Sequence, residues 1–251
     1  MVHGARQGEA GSRAGAALKT IRRLLLLSAF VPALLWAAET GYRLDHSPHQ
    51  PSDLLSLQSG AKLYVNYCLG CHGLQYMRYG GLAALGLTEQ QIKDNLLFTA
   101  DKVGEPIKVY LDPKAGKQWF GVPPPDLSVV SRSRGADWLY TYLRTFYRDS
   151  KTATGWNNAV FENVAMPHAL WTLQGERGYD REKNQWREIN KGALSQVEYD
   201  MAVRDLVNFL AYVGEPAASD RKAIGIVVLF VLAIVFVFAY LLKKEYWKDV
   251  T

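Results

Sequence analysis

The chain has two cysteines, Cys68 and Cys71, and the residue after the second is His72. Thiols three residues apart on a helical turn can add to the two vinyl groups of one porphyrin. The imidazole that follows can then reach the iron from the proximal side. Cys68-Leu69-Gly70-Cys71-His72 is thus the attachment signature of a c-type haem, with Gly70 keeping bulk away from the porphyrin edge. Other uses of the pair fit less well. A redox dithiol calls for a thioredoxin-like βαβ context, which is absent here. A structural zinc site needs a second Cys/His pair, and the chain has no further cysteine. A single pair of adjacent thiols is also no disulfide framework.

The iron of such a haem takes a second axial ligand, and the methionines are Met1, Met77, Met166 and Met201. Met1 lies in the leading segment. Met77 follows His72 by five residues and is held on the same face of the haem. Met201 falls on an amphipathic helix and reads as core. Met166 sits in the loop Asn163-Val164-Ala165-Met166-Pro167-His168, 94 residues after His72. A thioether on a proline-stiffened loop suits the distal face, and Met/His ligation raises the reduction potential. His168 competes for the same role, and spacing alone leaves both open. His46 and His49 fall in a polar run and read as solvated. Arg132 and Arg134 are candidate partners for haem propionates, since a guanidinium offers a planar fork to a carboxylate. Solvated surface arginines are the equal alternative.

The elements that must position these residues read as helices separated by long irregular stretches. Gly60 to Tyr67 leads into the cysteines, and Thr88 to Ala100 begins with a threonine cap. Residues 101–128 are loop-like, with Pro106, Pro113 and the run Pro123-Pro124-Pro125. Asp137 to Tyr147 reads as an aromatic-rich helix capped by Asp137. Residues 149–192 show no sustained period. Ser195-Gln196-Val197-Glu198 is a capping box that opens a helix through Tyr212, with Val197, Met201, Leu206, Phe209, Leu210 and Val213 on its apolar face. Gly214 and Pro216 stop it. No alternating strand pattern persists, and no internal repeat is present.

Both ends differ from the middle. Lys19, Arg22 and Arg23 precede the apolar run Leu24 to Leu35, and Ala37 and Ala38 follow it, as in a secretion signal over 1–38. Ala223 to Leu242 is an uncharged stretch of 20 residues, roughly 30 Å as a helix, and matches a hydrocarbon core. A cytoplasmic tail, 243–251, follows it. The expected topology is therefore single-pass in a bacterial inner (plasma) membrane, with 39–220 on the periplasmic side. The formal charge of +5 belongs to these termini. Setting aside their ten basic and three acidic side chains leaves 19 basic and 21 acidic ones between 39 and 220. A nucleic-acid partner is excluded on that ground.

Four stretches together resemble the cytochrome c1 family, the haem subunits of cytochrome bc1 complexes (ubiquinol–cytochrome c reductases). They are GAKLYVNYCLGCHGLQYMRY from Gly60 to Tyr79; Pro124-Pro125-Asp126-Leu127-Ser128 with Arg132, Arg134 and Trp138; Asn163 to Pro167; and Leu194 to Val197 leading through Phe209-Leu210 and Glu215-Pro216 into the anchor. Their order and spacing carry the resemblance over about residues 45 to 245. It implies a mainly α c-type cytochrome domain with long irregular loops, plus one C-terminal transmembrane helix. One haem c would be attached at Cys68 and Cys71, with His72 and Met166 on the iron, Arg134 at a propionate and Pro125 among the cofactor-binding residues. The implied function is electron transfer without catalysis by this chain itself. It would take single electrons from the Rieske iron–sulfur protein and pass them to a cytochrome c, beside cytochrome b in a dimeric respiratory complex. A membrane-anchored cytochrome donating to a terminal oxidase is the alternative. No long acidic insert for docking a basic cytochrome c is evident, and residues 101–122 have no assigned role.

Overall fold

The computed structural model describes residues 41–248 of the chain, apart from the side chain of Ser219. The signal-like segment expected over 1–38 and the last three residues of the tail lie outside them. Helix α1 (Leu54–Tyr67) is longer than the sequence suggested because Asp53 caps it, its carboxylate accepting from the Ser56 amide at 3.1 Å. The attachment motif begins at its C-cap, Cys68. Strand β1 (Leu74–Arg78) follows, then a 3-10 helix over Tyr79–Leu85. Helix α2 (Glu89–Asn95) opens on the expected Thr88, with Gln91 completing a capping box, and ends well before Ala100.

The stretch 101–128 is more ordered than its prolines imply. It contains β2 (Pro106–Ile107), which pairs antiparallel with β1, and α3 (Pro113–Phe120). Proline at the first helical position is harmless there, since its missing N–H would have had no partner, and Asp112 caps the turn. Helix α4 (Val130–Arg134) ends at Gly135, whose φ of 90° turns the chain directly into α5 (Ala136–Arg144). Asp137 therefore lies in the first turn of α5 and does not cap it; Tyr147 is outside the helix.

Beyond α5 the reading without strands is corrected. Strands β3 (Phe146–Arg148) and β4 (Trp156–Asn158) pair antiparallel. After the short α6 (Trp171–Gln174), β5 (Gly175–Asp180) and β6 (Gln185–Lys191) form a hairpin. These ladders have two strands each and are two to seven residues long, too short to show a period. Helix α7 (Gln196–Gly214) starts at Ser195 with the expected capping box. Its core face is Tyr199, Val203, Leu206, Val207, Phe209, Leu210 and Val213, all buried. Val197 and Met201 were assigned to that face; they are 69% and 49% exposed.

The core forms where α1 crosses α7. At Gly60 the backbones approach so closely that a Cβ would lie 2.0 Å from the Asp205 carbonyl oxygen. Only glycine fits there. Leu57, Ala61 and Tyr64 pack into the same buried cluster as Leu206, Phe209 and Leu210, with the Tyr64 and Phe209 rings 5.7 Å apart. Polar contacts fix the crossing: Ser56 Oγ donates to Asp205 Oδ1 at 2.7 Å, and Asn208 Nδ2 donates to the Gln50 carbonyl at 2.8 Å. The final helix, α8 (Ala218–Tyr246), exceeds the expected 223–242 by about a turn at each end. It is apolar and long enough to cross a membrane, and none of its hydrophobic window is buried. It fits a single C-terminal anchor.

Candidate functional site

The attachment motif folds as a tight continuation of α1. The Cys68 amide donates to the Tyr64 carbonyl at 2.8 Å, and the Cys71 and His72 amides both donate to the Cys68 carbonyl, at 3.0 and 2.8 Å. This winding sets two free thiols one turn apart and leaves open space around Gly70. Burial, with the neighbouring Cys71, pushes the Cys68 thiol up to about 12, and burial also raises Cys71. Both stay protonated, unlike the low-pKa thiolate of a redox dithiol.

The imidazole is oriented by the backbone opposite. His72 Nδ1 lies 2.7 Å from the Pro125 carbonyl oxygen. A carbonyl can only accept, so Nδ1 carries the proton and Nε2 keeps a free lone pair. Burial lowers the proton affinity of His72, outweighing the pull of the Pro125 carbonyl and Asp126. The ring is thus a neutral nitrogen donor. The segment 125–128 clamps the turn at further points: Asp126 accepts from the Gln75 amide at 2.8 Å, Ser128 Oγ from the Tyr76 amide at 3.0 Å, and the Gly73 carbonyl from the Leu127 amide at 2.9 Å. Tyr64, buried in α1, adds a bond from its hydroxyl to the His72 carbonyl at 2.6 Å.

Helix α5 builds a second group. Trp138 and Tyr142 are four residues apart and share a face, with rings stacked at 4.7 Å and 11°. Phe146 continues the row edge-on to Tyr142 at 5.0 Å, and His168 lies flat against Phe146 at 4.8 Å and 4°. His168 is also edge-on to Trp156 and only 2% exposed. Burial, with the nearby Arg177 and Arg148, lowers it to about 3, so it is neutral. This is a wedged core histidine. Two residues back, Met166 is half-buried, and its Sδ accepts a hydrogen bond from the Tyr142 hydroxyl at 3.4 Å. The loop enters through Asn163, at φ 58°, whose amide donates to Asn157 Oδ1 at 2.9 Å. Asn tolerates that left-handed conformation better than most residues.

Arg134 extends from the end of α4 over the rings of Trp138 and Phe161, at 5.2 and 5.9 Å. It makes no ion pair among the described residues and lines an open cavity of about 500 Å³. Arg132, the other propionate candidate, is engaged elsewhere, 2.9 Å from Glu215. His46 is exposed beside Asp137 at 3.3 Å, as its polar surroundings suggested. Met77 is buried core. Cys68, Cys71, His72 and Pro125 thus form one group; Arg134 and Met166 meet on the α5 aromatic row. Cys68, Leu127, Trp138 and Met166 all pack against one buried core. Sequence reading missed Asp126, Ser128 and Tyr142. The Asp-x-Ser turn, in which the Ser128 amide donates to Asp126 at 2.8 Å, was the signal for the first two. For Tyr142 the i, i+4 aromatic spacing from Trp138 was the signal.

The donor set suits a covalently held haem: two free thiols a turn apart, an imidazole with its outer nitrogen unprotonated, and a thioether on a separate loop. Comparison with known proteins agrees. The model of the cytochrome C1 family matches residues 45–250. A protein of Allochromatium vinosum named cytochrome c1 is 45% identical over 242 residues, covering 91% of this chain and 99% of its own. A Nitrosomonas europaea protein named ammonia monooxygenase gamma subunit is 44% identical over 233 residues, covering 93% and 100%. A Solanum tuberosum protein named cytochrome c1-1, heme protein, mitochondrial, is 24% identical, covering 96% and 81%. A family model matched over nearly the whole described length, with a relative 45% identical over 91% of the chain, makes this chain a member of the cytochrome c1 family.

Proposed function

We propose that, as the electron-transfer subunit of a bc1 complex, this chain holds one haem c, which Cys68 and Cys71 would attach, His72 and Met166 would ligate and Arg134 would meet at a propionate. When bound, the group supplies reversible one-electron exchange between ferric and ferrous iron. The observation that carries the reading is the His72 Nδ1 contact with the Pro125 carbonyl, which leaves Nε2 free beside two thiols. The bond fixes the tautomer and the ring's direction, and it raises the basicity of the donating nitrogen. Pro125 acts through that carbonyl.

Of the two distal candidates the packing supports Met166. Stacking against Phe146 and edge-on contact with Trp156 hold His168 in the core, while the thioether is flexible and half-buried. Arg134, lying over Trp138 with no carboxylate partner among the described residues, suits a propionate. With His72 and Met166 both committed to holding the group, the chain would carry electrons without transforming a molecule itself. Single electrons arrive from the Rieske iron–sulfur protein and leave to a cytochrome c, with cytochrome b as neighbour in a dimeric complex. The head, 39–220, stands on the periplasmic side of a bacterial membrane, held by the helix around 223–242.

The test is made on the complex purified in mild detergent. Cytochrome b and the iron–sulfur protein should accompany the chain, and its haem should resist extraction by acidified acetone. Met166→Leu should retain haem but lower the potential by more than the ~59 mV of a tenfold one-electron ratio. An unchanged potential and spectrum would remove Met166 from the ligand set. Pigment released by the acid would remove Cys68 and Cys71.

A further inference from the structure

A thioether sulfur has lone pairs and no proton, so in the 3.4 Å contact between Tyr142 and Met166 the phenol is the donor. The phenol cannot easily turn away. Trp138 stacks on its ring at 4.7 Å and Phe146 meets it edge-on at 5.0 Å. Among the described residues the Tyr142 hydroxyl has no other hydrogen-bond partner. The acceptor is held as well: Val164 is buried beside Met166, and His168 is fixed between Phe146 and Trp156.

We propose that Tyr142 is a positioning residue for the axial thioether, directing one sulfur lone pair to itself and leaving the other for the iron. This rests on the reading of Met166 as a ligand. Two consequences follow from the chemistry of the bond. Committing one lone pair selects one of the two faces by which a thioether can bind metal. Drawing electron density from sulfur also makes it a weaker donor, which favours the reduced iron over the oxidised iron. Hydrogen bonds to ligands are among the means by which proteins set haem potentials.

Tyr142→Phe removes the hydroxyl and keeps the ring between Trp138 and Phe146. It is compared with the unaltered chain, each in its purified complex, by redox titration and by the near-infrared sulfur-to-iron charge-transfer band. The ratio of reduced to oxidised haem c at a fixed ambient potential should fall about threefold to tenfold, the range one neutral hydrogen bond supplies. The band should shift while haem content stays constant. A ring-fluorinated tyrosine at 142 keeps the shape and strengthens the donor, so it should move the ratio the other way. It also decides the matter should Tyr142→Phe fail to assemble. Unchanged ratio and band, with the band present in both proteins, would overturn the role of Tyr142 and leave Met166 as ligand. No such band in the unaltered chain would overturn the Met166 reading and this proposal with it.

Discussion

Burial lowers the proton affinity of His72 while the Pro125 carbonyl accepts a hydrogen bond from its one N–H, so the ring presents a lone pair in the direction the backbone dictates. A comparable division between side chain and backbone governs Asp137. Its carboxyl sits below the usual carboxylate range, chiefly because the Ser47 amide donates to it at 2.8 Å; burial opposes the shift and His46 assists it. A carboxyl whose folded affinity for protons is lowered adds stability above its ordinary range and loses it as pH falls through and below that range. Asp137→Asn should therefore lower Tm at neutral pH, by an amount equivalent to about 0.5 kcal/mol for so exposed a group. The difference should vanish at more acid pH. Thermal melts across that interval check it, and a gap independent of pH would reject it. Cys68, Cys71 and His72 were legible as an attachment motif because residue type and spacing state their chemistry. For the second ligand, spacing alone left Met166 and His168 both open, and only the family resemblance favoured Met166. The Pro125 carbonyl was not legible, because every residue has a carbonyl and only the fold aims one.

At the level of elements, the crossing of α1 and α7 depends on a missing atom. A methyl at Gly60 would press on the Asp205 carbonyl and Phe209 Cβ, at 2.0 and 2.6 Å. Two helices would have to part, opening the contact between Tyr64 and Phe209. Gly60→Ala should cost about 1–3 kcal/mol, the range for overpacked cores. A lower urea midpoint with haem still attached would show it; an unchanged midpoint would mean the crossing relaxes freely. Tyr64 also bonds the His72 carbonyl, so the same change should broaden the haem's spectral bands. The helix starts at Thr88 and Ser195 were legible because a capping box is a local pattern that needs no tertiary partner. The three small ladders were not. Strands such as Pro106–Ile107 and Trp156–Asn158 are defined by what they pair with, and they carry no repeat of their own. Val197 and Met201 misled for the same reason, since periodicity marks an apolar stripe but not how far the neighbouring helix covers it.

Over the whole molecule, the head and its anchor meet through a joint of three residues, Glu215, Pro216 and Ala217. Fully stretched it spans only about 10 Å. Glu215 narrows this further, pairing with Arg132 of α4 at 2.9 Å and with Arg221 of α8 at 2.7 Å. The Ser131 hydroxyl donates to the Leu210 carbonyl at 3.0 Å, on the head side of the same junction. Inserting a Gly/Ser stretch of about ten residues after Pro216 should leave haem content and potential unaltered, since neither group around the iron is touched. Electron arrival from the iron–sulfur partner should slow at least severalfold in flash-initiated kinetics. An unaffected rate would mean the joint has no part in placing the head. A protein so moored to the bilayer cannot commute: the height of its redox centre above the lipid is fixed like a landing stage, and any crossing of open water falls to the vessels that call there.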